Sequence, residues 1–249
     1  MLHRYFIQLS FKGTRYHGWQ IQKNAHSVQA ELEKALSTVM MQKITATGCG
    51  RTDTGVHAKE FYAHFDLPGK DKFEKDIFRI NGCLPHDIAI QQVTRVNPNA
   101  HARFDAVSRT YQYFISRTKD PFNIDGAYYL YGNLDVQLMN RAAKILFDYN
   151  DFTCFSKSGT QVKTNDCEIT GAGWVSDGDL LIFTITANRF LRGMVRAIVG
   201  TMIETGKKKI TMDEFRKIIE RKNRSDAGHS VPAHGLYLTE VIYPKKLWL

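Results

Sequence analysis

A chain of 249 residues with 43% hydrophobic positions can bury one large core or two small ones, and its 34 Lys and Arg against 25 Asp and Glu give a formal charge of +9 and a pI near 9.3. That excess favours a polyanionic partner, with nucleic acid first. No segment reaches the roughly 18 uninterrupted apolar residues of a membrane span, and the alternation in "MLHRYFIQLSF" is unlike a signal-peptide block. The four widely spaced cysteines, with no Cys-x-x-Cys pair, argue against a metal site and for reduced thiols in the cytoplasm.

Tyr5, Ile7, Leu9 and Phe11 alternate with polar residues as a strand, and "KGTRYHGW" leads away from it as a loop. Ser27 caps a helix whose stripe is Val28, Leu32, Ala35, Leu36, Val39 and Met40. "ITATGC", a Gly-rich loop and "EFYAHF" then read as strand, loop and strand. A short helix around Phe73 to Ile80 and the strand "DIAIQQVTRV" complete the first half.

The second half opens on the strand "SRTYQYFIS" and a helix with Leu138, Ala142, Ile145 and Leu146 on its apolar face. "CEITGAGWV" and "LLIFTITA" flank Asp177-Gly178 as a hairpin. Phe190, Met194, Val195, Ile198, Val199, Met202 and Ile203 predict a strongly apolar helix. Thr211 and Glu214 predict a capping box before Phe215, Ile218 and Ile219, and "GLYLTEVIY" closes the chain as a strand. The pattern is α+β, in two halves meeting near Asn97 to Asp105: an N-terminal domain 1–104 and a C-terminal domain 105–249.

The loop between the first-half strands, "GCGRTDTGVHA", contains Asp53-Thr54-Gly55, the tripeptide of aspartic proteases. A protease needs two aspartates sharing one proton, and the loose echo Asp226-Ala227-Gly228 is a poor second half. Arg51 argues further against it, since a guanidinium favours the charged carboxylate over a shared proton. An ionised aspartate can attack an electrophilic carbon, remove a proton or stabilise developing positive charge. It can equally organise a surface loop with its arginine. A glycosidase would need a second carboxylate, and Glu60 is the only close candidate. His57 invites a general-base role but reads better as a hydrogen-bonding or RNA-contacting residue, and Cys49 as a small buried one. "KGTRYHGW", "GKKK" and "ERKNR" supply the interleaved charge and aromatics that suit RNA phosphates.

"FKGTRYHGWQIQKNAHSVQAELEKAL", "GCGRTDTGVHA", "LPHDIAI", "HARFDAVSRTYQYFI", "DFTCFSK", "FLRGMVRAIVG" and "AHGLYL" resemble, in order, the motifs of the tRNA pseudouridine synthase A family, from Phe11 to Leu238. One departure falls in the Asp53 loop, where Thr54 replaces the family's usual alanine. The resemblance implies a pseudouridine synthase fold, two similar domains with mainly antiparallel sheets meeting at a central RNA-binding cleft. It implies isomerisation of uridine to pseudouridine at positions 38, 39 and 40 of the tRNA anticodon arm, by a homodimer without metal or organic cofactor. Asp53 matches the essential aspartate. Tyr111 matches the tyrosine stacked on the target base, in the Arg-x-Tyr-x-Tyr pattern of Arg109 to Tyr113, with Tyr113 structural. Arg196, in the apolar helix, matches an ion-pair partner of the aspartate, Leu236 an apolar wall of the uracil pocket, and Arg51 a substrate-binding neighbour.

Overall fold

The computed structural model describes residues 2–69, 73–157, 159 and 164–249. In chain order the strands are β1 (Leu2–Phe11), β2 (Thr47–Gly48), β3 (His57–Pro68), β4 (Ile88–Arg95), β5 (Ser108–Ser116), β6 (Tyr128–Tyr129), β7 (Ile169–Asp177), β8 (Leu180–Ala187) and β9 (Leu236–Ile242). The α-helices are α1 (Val28–Met40), α2 (Glu74–Cys83), α3 (Val136–Ile145), α4 (Met194–Gly206) and α5 (Met212–Glu220). Strand pairing is mostly antiparallel, the α+β class that the periodicities predict. The chain divides into two compact units, Met1–Val107 with Tyr237–Leu249, and Ser108–Leu236. Among the described residues no helix is long and apolar enough to cross a membrane.

In the first unit β1 lies between β3 and β4, with Tyr5 opposite Phe65 and opposite Arg95. The alternation in β1 is used on both faces. Tyr5 meets Phe65 and Phe73, and Phe11 meets Phe61 and Trp19. On the opposite face Phe6, Tyr62, Tyr243 and Trp248 form a second aromatic cluster, with ring centroids 5.1 to 6.4 Å apart. That cluster draws the last residues of the chain into this unit. β9 pairs in parallel with β3, Tyr237 opposite His57, and the Asn97 amide donates to the Leu247 carbonyl at 3.1 Å. Ser27 caps α1 by accepting from the Ala30 amide, and Val28, Leu32, Ala35, Leu36 and Val39 are buried as the stripe predicts.

The second unit pairs β5 with β8 and β8 with β7, and adds β6 in parallel beside β5. Asp177 pairs with Leu180, so the hairpin's two loop residues are Gly178 and Asp179, one place on from the expected pair. Gly178 has φ +56°, and a positive φ at the first loop position is what glycine supplies. The buried side of α3 is Met139, Ala142, Ala143 and Ile145, centred on Met139 instead of Leu138. The reason is close packing against α4, where a Cβ at Gly206 would lie 2.7 Å from the Met139 sulfur. α4 starts at Met194, leaving Phe190 in the preceding loop, and it is buried on nearly every side: only Arg196 and Glu204 of its residues are not. Thr211 and Glu214 form the expected capping box.

The turn between β4 and β5 is held by side chains. Arg4 is clamped to Asp66 by two 2.8 Å bonds and donates a third, at 2.9 Å, to the Ala100 carbonyl. The Ala102 amide donates to His64 Nδ1 at 3.1 Å, and its carbonyl accepts from the Tyr243 hydroxyl. His101 Nδ1 accepts from the Arg103 and Phe104 amides, while the His101 amide donates to Asp105. Both imidazoles therefore act here as neutral acceptors. Burial, then the Arg4 charge and His101, lowers the His64 pKa to about 4 against the opposing pull of Asp66 and Asp105. Burial and Arg4 lower that of His101 as well.

These shifts make stability depend on pH. Between the ordinary histidine value near 6.5 and about 4, the unfolded chain binds protons that folded His64 refuses. The stabilisation is complete above that window and lost as pH falls through it, on the order of 2 kcal/mol for a single buried imidazole. Urea unfolding at pH 7 and pH 4.5 should show the loss, and His64→Gln, whose amide oxygen still accepts from Ala102, should flatten it. An unchanged slope in that variant removes His64 as the cause.

Candidate active site

Asp53 sits between β2 and β3, on a loop whose shape is imposed by contact with the earlier loop between β1 and α1. β2 pairs with β3 through Gly48 and Ala63, and the Cys49 amide continues this to the Tyr62 carbonyl at 2.7 Å. The Val56 amide returns to the Asp53 carbonyl at 3.2 Å, and the Gly55 amide donates to the Tyr16 carbonyl at 3.3 Å. Gly55 takes φ +79° to make this turn. The two loops touch through backbone. A Cβ at Gly13 would lie 2.0 Å from the Val56 carbonyl oxygen, and one at Gly18, itself at φ +88°, would lie 2.2 Å from that of Thr52. His57 Nδ1 accepts from the Gly13 amide at 3.0 Å, and its buried ring stacks on Tyr237, with centroids 4.5 Å apart.

A second set of bonds braces the earlier loop. Arg15 Nε and the Tyr16 hydroxyl donate to the two oxygens of Asp87 at 2.7 and 2.6 Å. Burial alone would raise the Asp87 carboxyl, but these two donors outweigh it and hold it below the usual range. Burial and the Asp87 bond push the Tyr16 phenol up, which keeps it a donor. Within this frame Asp53 is half-buried and Arg51 and Thr54 are exposed. Arg51 lines a cleft of about 190 Å³ beside the loop.

Tyr111, Arg196 and Leu236 belong to the second unit. Tyr111 and Tyr113 share one side of β5, yet Tyr113 is fully buried, with its hydroxyl donating to the Pro232 carbonyl at 2.8 Å. Tyr111, nearer the start of the strand, is half-buried and meets Phe190 edge-on at 5.1 Å. Arg196 donates through Nε to the Val231 carbonyl at 2.7 Å, and its own carbonyl accepts from the Val231 amide. The stretch from Val231 to Gly235 thus joins Arg196 to Tyr113, against which Gly235 packs too closely for a Cβ. Buried Leu236 follows directly.

Other candidates take structural roles. Glu60 accepts from the Gln8 amide group and the Val241 backbone at 3.1 and 2.8 Å, tying β3 to β1 and β9. Asp226 is held by Asn223 and Arg221 in the second unit. Cys49 is buried, and among the described residues no group of three or more His, Cys, Asp or Glu is placed to hold a metal ion. The basic runs are largely internally paired: Lys207 and Lys209 with Glu204, Lys208 with Asp135, Arg221 with Asp226 and Lys222 with Asp151. A phosphate would have to compete with those carboxylates.

A family profile described as tRNA pseudouridine synthase matches residues 142–244. Over nearly its full length the chain is similar to the tRNA pseudouridine synthases A of Parabacteroides distasonis, at 50% identity over 99% of this chain and 98% of that protein, and of Bacteroides fragilis, at 51% over 98% of each. That of Bacillus subtilis is 40% identical over 94% of this chain and 97% of its own. The chain belongs to the tRNA pseudouridine synthase A family. The place of the Asp53 loop is fixed by Gly13 and Gly18, whose part the sequence signals only as two glycines in a loop.

Gly18→Ala and Gly13→Ala should therefore displace the Asp53 loop, lowering stability by about 2 kcal/mol and turnover by about a hundredfold. Gly50→Ala, with open space around the new Cβ, should leave both near wild type. Kinetics and urea melts on the three variants check this, and equal effects at all three positions refute the clamp.

Proposed function

We propose that the chain converts uridine to pseudouridine in the anticodon arm of tRNA, at positions 38, 39 and 40, with Asp53 as its essential carboxylate. The end-to-end similarity to tRNA pseudouridine synthases A carries the reading, and the braced, half-buried setting of Asp53 supports it. In this reaction the bond from ribose C1′ to uracil N1 breaks, a bond from C1′ to C5 forms, and the C5 proton is replaced by one at N1. Positive charge develops at the anomeric carbon as the first bond loosens, and a carboxylate there stabilises it or bonds to it. One carboxylate suffices because the base is retained, which suits Glu60 being committed elsewhere. No metal or organic cofactor is required.

An extruded uridine needs replacement for its lost stacking, and Tyr111 supplies an aromatic face. Leu236 lines the uracil pocket, Arg51 binds the substrate beside the loop, and Arg196 pairs with Asp53. Two domains, the first carrying the Asp53 loop and the second Tyr111 and Arg196, meet at the RNA-binding cleft. The enzyme works as a cytoplasmic homodimer.

Incubation with unmodified tRNA and nucleotide-resolved mapping of pseudouridine tests the reading. Asp53→Asn should abolish product, at least about 10⁴-fold, while tRNA affinity and urea stability remain. Arg196→Met should lower turnover by about a hundredfold or more with little change in affinity. Product from Asp53→Asn at near wild-type rate overturns the assignment.

A further inference from the structure

Phe104 is 72% exposed, although the turn that carries it is among the most firmly bonded segments of the first unit. Single exposed phenylalanines are ordinary. This one is held in place: its ring lies 4.3 Å from that of His101, which is fixed by the amides of Arg103 and Phe104. The Arg103 guanidinium sits 5.5 Å from the centre of the same ring. A preformed aromatic face beside a cation costs little ordering entropy when a planar ligand settles on it.

The face borders the 190 Å³ cleft, whose walls include Trp19, Gln20, Gly50 and Arg51 as well as Arg103 and Phe104. None of its lining residues is acidic, and two are arginines. The space is smaller than the roughly 300–1,000 Å³ of pockets for drug-sized ligands, so it suits one planar heterocycle. Gln20 offers a hydrogen-bonding edge there, its amide nitrogen already fixed by Gln29 at 2.9 Å. Gly50 and Arg51 are also the start of the loop that carries Asp53.

We propose that this cleft holds a second, unstacked nucleotide of the tRNA, close in sequence to the uridine that is isomerised: its base lies on Phe104, its phosphate meets Arg51 and Arg103, and Gln20 reads its edge. The proposal rests on the function proposed above and adds a specificity-determining subsite to it. It makes Phe104 a binding residue for the flanking nucleotide and His101 a positioning residue behind it. The charge of the lining favours RNA over a second copy of the chain as the occupant.

The test is a double-mutant cycle in which wild type and Phe104→Ala are assayed on an anticodon stem-loop RNA and on versions abasic at each nucleotide flanking the target. Phe104→Ala should weaken binding and kcat/KM by roughly tenfold to a hundredfold on intact RNA. At one flanking position the abasic change should cost wild type as much and cost the variant nothing further, while Phe104→Trp retains wild-type behaviour. Equal abasic penalties in both proteins at every position overturn the subsite, as does a Phe104→Ala variant that dissociates into monomers without RNA and shows no coupling, which assigns the face to a copy of the chain. Wild-type protein that binds with coupling at one position but makes no pseudouridine leaves the subsite standing and refutes the catalytic reading instead.

Discussion

The Asp53 loop has no secondary structure of its own and depends on a backbone-to-backbone contact for its shape. Carbonyls of Thr52 and Val56 come so close to Gly18 and Gly13 that any side chain there would overlap them. The loop between β1 and α1 is thus the mould for the loop after β2. Its own rigidity comes from Asp87, which takes two donors from Arg15 and Tyr16 at the start of β4. Three stretches distant in sequence therefore share one set of coordinates around a carboxylate. Each bond is worth only about 1 kcal/mol net, but together they limit the positions that the carboxylate can take, and positional precision is worth more to a reaction than the same energy spent on stability.

His57 shows how a neighbouring residue at the end of the same loop is drawn into this frame. It lies four places after Asp53, and its Nδ1 is occupied by the Gly13 amide while its ring is sandwiched against Tyr237. The same use of imidazole Nδ1 as an acceptor recurs at buried His64 and half-buried His101, which accept amides of the turn after β4. Three histidines serve the backbone of one unit, each offering its Nδ1 to a main-chain amide as a fixed acceptor.

Most of the elements were legible from periodicity, because a stripe such as Val28, Leu32, Leu36 and Val39 has one economical use. The misplacements are local and have local causes: Met139 in place of Leu138 follows from how closely Gly206 lets α4 approach, and the hairpin shift from where a positive φ falls. The return of β9 to the first unit is not written in any window of sequence, since it follows from aromatic contacts of Tyr243 and Trp248 with Phe6 and Tyr62, more than 150 residues away. At the site, Asp53 is singled out by the resemblance of its Arg-Thr-Asp loop to a family motif, since spacing alone leaves a loop-organising role equally open. Gly13 and Gly18 do not, since a loop glycine announces freedom and gives no hint of the partner that requires it.

Charge was the least legible property. The runs at Lys207 to Lys209 and Arg221 to Lys222 are the densest basic stretches that the sequence offers to a phosphate, yet the fold places a carboxylate against each. Exposed pairs of this kind are weak, typically under about 1 kcal/mol, so a polyanion can still displace them, but it gains less from each than from a cation with no such neighbour. Arg51, isolated between glycine and threonine and contributing little to any composition window, lines a cleft without acidic walls. The field that a phosphate meets is set by where cations and carboxylates lie relative to one another, and that is decided by tertiary structure, so an overall charge of +9 favours a class of partner and leaves the place of contact to the fold.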